Sequence, residues 1–302
     1  MKSFFPFTLR GLRLLAGVFC LVLLGSLLQA AEKKPLSLHW EKNYLTIQGD
    51  FAGGEVKILY LEAYCRPGST DRVWGDTVIP HQAELLSASQ DGQEIKLRDT
   101  LRDGVVVDHL ITAGEDTVSF QLKAHNPTDQ PSDVDWAQPC MRVEHFTGTD
   151  TRQAREALPP YIRKCFLYID GKQQRLPTTP WATEARYTPG QVYRAPGVPA
   201  GDVNPRPLSS LVPSNGLTGC YSADGKQILA VAWEPYQEIF QGVITCLHSD
   251  FRIGGLKPGE TKQIRGKIYI TDANEPKLRQ RYENDFPEQA KGASQAAASA
   301  QK

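Results

Sequence analysis

Several stretches of this chain alternate apolar and polar residues with a period of two, the pattern of a β-strand with one buried face. The longest covers residues 55–65 and ends at a Pro-Gly turn. Residues 105–112 and 117–124 repeat the pattern on either side of the turn at 113–116, and they predict a hairpin. Each such strand must bury one face against a second layer, so two packed sheets are expected.

Further strands are predicted along the chain, separated by short turns rich in Gly, Pro, Asn and Asp. They cover residues 36–40, 44–48, 134–143, 162–169, 217–221, 228–233, 242–248 and 264–270. The 21 Pro and 25 Gly suit many strands better than a helical bundle. Helix is predicted only at residues 151–158 and 275–283. We therefore predict an all-β, antiparallel β-sandwich with a short C-terminal helix. Two small immunoglobulin-like domains, divided between residues 149 and 160, are the alternative.

The N-terminus has the three parts of a secretory signal peptide. Basic residues precede an apolar run at 14–28, which is shorter than the ~20 residues that a membrane-spanning helix needs. Small residues follow at Ala30 and Ala31, where a signal peptidase can cut. We predict a cleaved signal peptide over residues 1–31 and a secreted or periplasmic protein without stable membrane insertion. An uncleaved N-terminal anchor is the alternative.

Composition limits the extent of the folded domain and the kinds of partner that it can bind. The chain carries 34 basic and 34 acidic residues with no basic run, so no nucleic acid partner is predicted, because phosphate binding needs clustered Lys and Arg. The β-sandwich is expected over residues 32–287. Residues 288–302 are rich in Ala and Ser, lack apolar periodicity and are predicted to be disordered. The oligomeric state does not follow from the sequence.

The chain has six cysteines, one of which, Cys20, lies in the predicted signal peptide. The remaining five are an odd number, so at most two disulfides form in an oxidising compartment. Predicted neighbouring strands pair Cys220 with Cys246 and Cys140 with Cys165, although spacing alone does not determine connectivity. Buried, unpaired cysteines are the alternative. No CxxC motif or zinc-type Cys/His spacing occurs, so no metal site and no cofactor are predicted.

One long segment, residues 175–214, is rich in proline and shows little periodicity. An ordered loop of this length inside a domain usually has a function. We therefore expect it to contribute to a site. An irregular segment that only covers a sheet is the alternative.

Two motifs resemble parts of known sandwiches. The run F-Q-L-K-A-H-N-P-T-D-Q-P-S-D-V-D-W-A-Q-P-C, residues 120–140, resembles a strand, turn and strand of large sandwiches that bind or act on sugars, including galactose-mutarotase-like supersandwich domains. The run G-G-L-K-P-G-E-T-K-Q-I-R-G-K-I-Y-I, residues 254–270, is similar to their closing hairpin. From residue 44 to 287 the chain resembles a family of secreted bacterial β-sandwich proteins of unknown function. The resemblance implies a sandwich and a saccharide ligand, but the catalytic His and Glu motifs of mutarotases are not matched, so it implies no epimerase activity.

The predicted strand at 134–143 carries the first candidate site. Regular alternation places on one face Trp136, Gln138, Cys140, Arg142 and Glu144. The other face takes Met141, Val143 and His145, unless Pro139 introduces a bulge. An aromatic ring beside an amide and a guanidinium suits a sugar or a uronate. Trp136, Gln138, Arg142 and His145 are therefore predicted ligand-binding residues. A buried Trp with a satisfied polar neighbour is the alternative.

A second group combines titratable and aromatic residues near strand ends. Glu234, His248 and Asp250 are the predicted catalytic residues, because a carboxylate paired with His can act as acid and base on a sugar. Tyr236 is a predicted ligand contact, and Arg186 is a candidate for neutralising a uronate. Loop polarity and turn caps are the alternative.

Two functions fit these observations. One is a carbohydrate-binding or carbohydrate-processing sandwich outside the cytoplasm, and the other is a non-catalytic structural or interaction module of the cell envelope. These two differ in whether Trp136, Arg142, Glu234 and His248 converge on one pocket. A third, a secreted hydrolase with a metal, would need at least three ligands close to one point from Asp, Glu, His81, His109, His145 and His248. The sequence leaves open whether the protein is an enzyme.

Overall fold

The structure is a computed structural model that describes Met1 and residues 34–150, 158–181, 190–205, 207–242 and 244–288. Several predicted features lie outside these ranges. They are the signal peptide beyond Met1, all but the last residue of the helix at 151–158, Arg186, and the tail from residue 289 on.

Short strands dominate the described chain. They are β1 (Ser37–Glu41), β2 (Tyr44–Gln48), β3 (Glu55–Cys65), β4 (Val78–Ile79), β5 (His81–Ala88), β6 (Glu94–Leu101), β7 (Val106–Ala113), β8 (Thr117–His125), β9 (Trp136–Arg142), β10 (Cys165–Ile169), β11 (Lys172–Arg175), β12 (Val192–Arg194), β13 (Thr218–Tyr221), β14 (Gln227–Glu234), β15 (Tyr236–Gly242), β16 (Cys246–Arg252) and β17 (Thr261–Asp272). The α-helices are α1 (Trp74–Thr77), α2 (Glu144–Thr147) and α3 (Glu275–Asp285). Two 3₁₀ turns lie at Pro160–Lys164 and Ala200–Asp202.

The strands form two antiparallel sheets. Sheet A has the order β1-β2-β3-β9-β16-β15-β12, with β4 also paired to β3, and sheet B has the order β11-β10-β13-β14-β17-β8-β7-β6-β5. The pairs β9–β16 and β8–β17 join strands from before and after residues 149–160 within each sheet. The inner faces of the sheets pack against each other around one large apolar core. The predicted all-β antiparallel sandwich is confirmed.

The alternation of apolar residues explains how sheet B meets this core. In β6 the residues Ile95, Leu97 and Leu101 are buried, and Val107 and Ile111 of the paired strand β7 are buried beside them. The residues of opposite parity, such as Lys96, Arg98 and Asp108, face outward, whereas Asp99 and His109 lie on the buried face with the apolar residues. β5, at the edge of the sheet, is almost entirely exposed, and neither β5 nor β6 was predicted from the sequence.

Local signals correct two predicted strand boundaries. The first half of the strand expected at 162–169 is a 3₁₀ turn that begins at Pro160, and only Cys165–Ile169 is extended. The strand expected at 134–143 ends at Arg142, because α2 follows it and closes at Gly148 with a φ of 69°. The C-terminal helix is confirmed as α3, where the Asn274 side chain accepts a hydrogen bond from the Lys277 backbone N–H.

Among the described residues, the helices fall short of the length and apolarity required to span a membrane.

Candidate functional site

The outer face of sheet A, which points away from sheet B, carries a group of buried polar side chains. Most come from the adjacent strands β9, β16 and β15. The group, here named the outer-face cluster, comprises Glu62, Gln138, Cys140, Arg142, Asn204, Glu238, Cys246, His248 and Asp250. Glu62 and Arg142 are half-buried, and every other member is at most 4% exposed.

The sequence of β16 places three cluster members on the same face. Leu247 and Phe251 point into the apolar core between the sheets. Because side chains alternate along a strand, Cys246, His248 and Asp250 point to the outer face. They occupy every second position of the strand, so the backbone places the three side chains in a row on the same face.

The alternation predicted for β9 is confirmed up to Arg142. Ala137 and Met141 belong to the core between the sheets, and Pro139 lines a small internal gap together with Met141. The opposite parity therefore falls on the outer face, where Gln138 contacts Glu62. Pro139 does not shift the alternation.

Hydrogen bonds connect part of the cluster into a chain. Gln138 Nε2 donates to Glu62 Oε2 at 2.8 Å, and Asn204 Nδ2 donates to Gln138 Oε1 at 3.1 Å. The Asn204 backbone N–H donates to both carboxylate oxygens of Glu238, at 3.1 and 3.0 Å. Asn204 belongs to the proline-rich segment 175–214, so this segment contributes directly to the cluster.

A second part of the cluster is a row of a thiol, an imidazole and a carboxylate. Cys246 Sγ lies 3.2 Å from His248 Nε2, and His248 Nδ1 lies 3.5 Å from Asp250 Oδ1. Phe240 stacks on the His248 ring, with 4.1 Å between ring centroids and 11° between planes. Cys140 Sγ, Cys246 Sγ and a His248 ring nitrogen lie within 4.8 Å of one another.

Proximity shifts the pKa values of this row in opposite directions. A hydrogen bond from Cys140 lowers the pKa of Cys246 well below its ordinary value, against the effect of burial, and the His248 charge lowers it further. Burial alone would lower the pKa of His248, but the Cys246 thiolate and the Asp250 carboxylate outweigh burial and raise it to about 10. The two shifts favour the charged forms of both Cys246 and His248.

Two predicted site residues lie away from the cluster because of the strands that carry them. Glu234 ends β14 in sheet B, opposite Arg265, and does not join His248 and Asp250. Tyr236 is buried in the core between the sheets, and its hydroxyl donates to the Pro213 carbonyl oxygen at 3.2 Å.

Two further predicted residues have other surroundings. Trp136 shares the outer face but is fully buried, with its ring 6.4 Å from that of Trp74. His145 lies in α2, is exposed, and packs over Gly53 because the strand ends before it. Neither ring stands where it can stack on a ligand bound at the cluster.

The structure adds Glu62, Asn204 and Glu238 to the residues that the sequence indicated. Glu238 lies opposite Asp250, next to a break in the β15–β16 register after Tyr236, so simple alternation does not reveal its direction. Asn204 approaches from an irregular loop, for which the sequence offers no periodic signal. For Cys246, by contrast, a signal was available, since it precedes His248 and Asp250 at strand spacing.

The predicted disulfides are wrong. All five cysteines of the described chain are free and buried. The predicted pairs fail because each joins the two sheets: Cys140 and Cys246 lie in sheet A, whereas Cys165 and Cys220 lie in sheet B. Within sheet B, Cys165 is directly opposite Cys220.

Similar strand arrangements occur in solved structures. A galactose mutarotase-like protein from Lactobacillus casei ATCC 334 shares 8% sequence identity, with a TM-score of 0.40 over 78% of this chain and 99% of that one. A galactose 1-epimerase from Lactobacillus acidophilus NCFM shares 9%, with a TM-score of 0.39 over 80% of this chain and 100% of that one. The distant likeness to galactose-mutarotase-like domains is confirmed. Similarity at this level assigns no role to any residue. No family model and no curated protein matches the chain.

A second buried polar group lies between the sheets. His109 Nδ1 is 2.9 Å from the Tyr60 hydroxyl, and His109 Nε2 is 3.2 Å from Asp99 Oδ2. The Tyr64 hydroxyl donates to the same Asp99 oxygen at 2.7 Å. All four side chains are at most 2% exposed. Their polar atoms satisfy one another, so this group connects the sheets.

Proposed function

We propose that this protein is exported and binds a carbohydrate at the outer-face cluster, and that His248 and Asp250 supply proton transfer to the bound sugar. The observation that carries the proposal is the buried chain of Glu62, Gln138, Asn204 and Glu238 beside the His248–Asp250 pair. Export is proposed from the N-terminal sequence, with its basic residues, apolar run and small residues.

The cost of burial supports a functional role for the cluster. Taking an ionised group out of water costs several kcal/mol unless its partners are well placed. Two carboxylates at 0% exposure, Glu238 and Asp250, lie opposite each other on β15 and β16. Apolar residues would pack such a face at lower cost. Ionisable groups concentrated in this way are typical of sites that bind or react.

The residue types fit a sugar. Neighbouring hydroxyls on a sugar ring both donate and accept, and the amides of Gln138 and Asn204 can serve either role. The carboxylates of Glu62 and Glu238 accept hydrogen bonds from hydroxyl pairs. Arg142 is half-buried, and its buried Nε has no hydrogen-bond partner within the described part of the chain, so we assign its guanidinium to a uronate carboxylate.

Proton transfer is assigned to His248. With a pKa of about 10 the imidazole keeps its proton at neutral pH and can deliver it as a general acid. Asp250, 3.5 Å from Nδ1, orients the ring. Glu238, across the strand pair from Asp250, is assigned as the proton acceptor.

A saccharide screen of the purified protein tests the proposal. Thermal shift and calorimetry against neutral and uronic oligosaccharides should identify at least one ligand. Arg142→Ala should lower the affinity for uronic ligands at least tenfold and leave neutral ligands bound, whereas Gln138→Ala should weaken both. Arg98→Ala, which removes an exposed guanidinium paired with Asp108 in sheet B, is the control.

Two results would count against this function. One is a folded protein whose melting temperature no saccharide changes, which would favour the structural or interaction module. The other is equal affinity in Gln138→Ala and Arg98→Ala, which would place the ligand elsewhere. Loss of turnover with retained binding in His248→Gln would support the proton-transfer role, and unchanged turnover would remove it.

A further inference from the structure

We infer that Cys140, Cys246 and His248 form a binding site for a thiophilic d¹⁰ metal ion, Zn²⁺ or Cu⁺. Their two sulfur atoms and a ring nitrogen lie within 4.8 Å of one another. Two donors on one tetrahedral ion lie roughly 3.5–3.8 Å apart, given metal–ligand bonds of about 2.0–2.3 Å. Small side-chain rotations therefore bring all three donors to one ion.

The strand register favours a chelate over a disulfide between Cys140 and Cys246. Met141 faces Leu247 and Ala137 faces Phe251, so the register between them is continuous and Cys140 falls opposite His248. Cys246 faces Arg142 and is therefore diagonal to Cys140. Diagonal neighbours lie about 7–8 Å apart, with a somewhat smaller distance between their Cβ atoms, whereas a disulfide needs Cβ atoms about 3.5–4.5 Å apart. An ion between the sulfur atoms spans this wider gap.

His248 has the surroundings of a metal ligand. The second nitrogen of a metal-bound histidine almost always faces a carboxylate or carbonyl, which fixes the ring. Here Nδ1 lies 3.5 Å from Asp250 Oδ1, and Nε2 faces the Cys246 sulfur. Stacking on Phe240 fixes the plane of the ring.

The donor set selects the class of metal. Thiolates and imidazole prefer zinc and copper(I), whereas magnesium, calcium and manganese prefer oxygen ligands. Two cysteines and one histidine leave a fourth position of a tetrahedral ion open, as in zinc sites that bind a further molecule.

The inferred metal site shares a face with the proposed saccharide site, but its location follows from the three donor atoms and not from that proposal. Both uses of His248 need Nε2, so the proposed proton transfer belongs to the metal-free protein, and metal loading should block it. Metal binding requires no saccharide, so the two proposals fail separately.

Metal titration of the reduced, chelator-treated full chain tests the inference without any sugar present. Zn²⁺ is titrated against a chromogenic chelator and Cu⁺ against a copper(I) chelator, which distinguishes the two ions. We expect one ion per chain for at least one of them. Co²⁺ should produce a thiolate-to-metal absorption band with the intensity of two thiolates, a readout that needs no variant.

Variants locate the ion. Cys140→Ser and Cys246→Ser should each weaken binding at least 100-fold, and Cys220→Ser, which removes a buried thiol from sheet B, should not change it. Asp250→Asn should weaken binding about 10–100-fold, without an equal loss of thermal stability in the metal-free protein.

The inference would be overturned if neither ion binds, or if the cobalt band has the intensity of fewer than two thiolates. It would also be overturned if Cys246→Ser binds the ion with unchanged affinity, or if the freshly purified protein contains a Cys140–Cys246 disulfide.

Discussion

Asp99 and His109 meet between the two sheets, with 3.2 Å between Asp99 Oδ2 and His109 Nε2. They lie on adjacent strands of sheet B, and the Tyr64 hydroxyl from sheet A donates to the same Asp99 oxygen. The Tyr60 hydroxyl contacts the other nitrogen of His109. A polar group this deep is stable only because its donors and acceptors are paired. Because hydrogen bonds depend on orientation, this group helps to fix how the two sheets pack, whereas the surrounding apolar contacts are non-directional.

Removing the Asp99 carboxylate should strongly destabilise the sandwich. Asp99→Ala leaves the Tyr64 hydroxyl and His109 Nε2 buried without this partner, and the expected loss in unfolding free energy is about 3 kcal/mol. Asp108→Ala is the matched control, since it breaks an exposed pair with Arg98 in the same hairpin and should cost less than about 1 kcal/mol. Urea unfolding measures both. Equal losses would contradict the role given to the buried group.

Asp99 should also make the unfolding free energy depend on pH. Burial would raise its pKa, but hydrogen bonds from His109 and Tyr64 outweigh burial and lower the pKa below the ordinary value of 3.8. The unfolded chain then takes up a proton at a higher pH than the folded protein does. The contribution of Asp99 is therefore complete above pH 3.8 and is lost as the pH falls through the lower folded value.

The pH dependence is measured by comparing the wild type with Asp99→Asn. Unfolding free energies are recorded from pH 6 downward. The wild type should lose more stability below about pH 4 than Asp99→Asn, because only the wild type carries the titrating group. Other carboxylates act in both proteins and cancel in the difference. Parallel curves would show that Asp99 does not carry this dependence.

How much of this fold follows from the sequence depends on the range of the contacts. Alternation, a local property, predicted β2 and β3 with their observed limits and the outward direction of Gln138 and Arg142. The order of the strands depends on contacts between distant parts of the chain. The pairing of β9 with β16 is such a contact, and it brings Arg142 opposite Cys246 and Cys140 opposite His248.

The same distinction explains what was missed. Asp99 and His109 occupy positions where the alternation of β6 and β7 calls for apolar residues, so the sequence did contain a local sign of a buried polar group. It contained no sign of their partners Tyr60 and Tyr64, which belong to the other sheet. The disulfide predictions failed for this reason as well, since neighbours along the chain were taken as neighbours in space.

The cysteines of sheet B should form a disulfide when the protein folds under oxidising conditions. Cys165 and Cys220 are directly opposite, and opposed residues in antiparallel strands have Cα atoms about 4.5–5.5 Å apart, within the range of a disulfide. Both are buried, so the bond should form during refolding and not in the native protein.

Peptide mapping of protein refolded in a glutathione redox buffer shows whether the Cys165–Cys220 disulfide has formed. The expected product is a Cys165–Cys220 bridge that raises the unfolding free energy by about 2–4 kcal/mol. Cys165→Ser, refolded in parallel, should lack both the bridge and the added stability. A Cys220–Cys246 bridge would contradict the strand register.

A close cross-strand contact in the core yields the last prediction. Gly266 of β17 faces Trp233 of β14, and a Cβ added at Gly266 would lie 2.4 Å from the indole ring. The ring packs on Phe120 and Phe251 with centroid distances of 5.1 and 4.8 Å, and these contacts oppose the shift that an extra methyl group would require. Gly266→Ala should therefore cost about 1–3 kcal/mol and shift the tryptophan fluorescence.

Gly75 in α1 is the matched control for this substitution. A Cβ there meets nothing within 4 Å, and alanine favours helix, so Gly75→Ala should be neutral or stabilising by up to about 1 kcal/mol. Denaturant unfolding followed by fluorescence and by circular dichroism separates local repacking around Trp233 from global loss. Equal midpoints for the two variants would mean that the core between β14 and β17 yields to an extra methyl group.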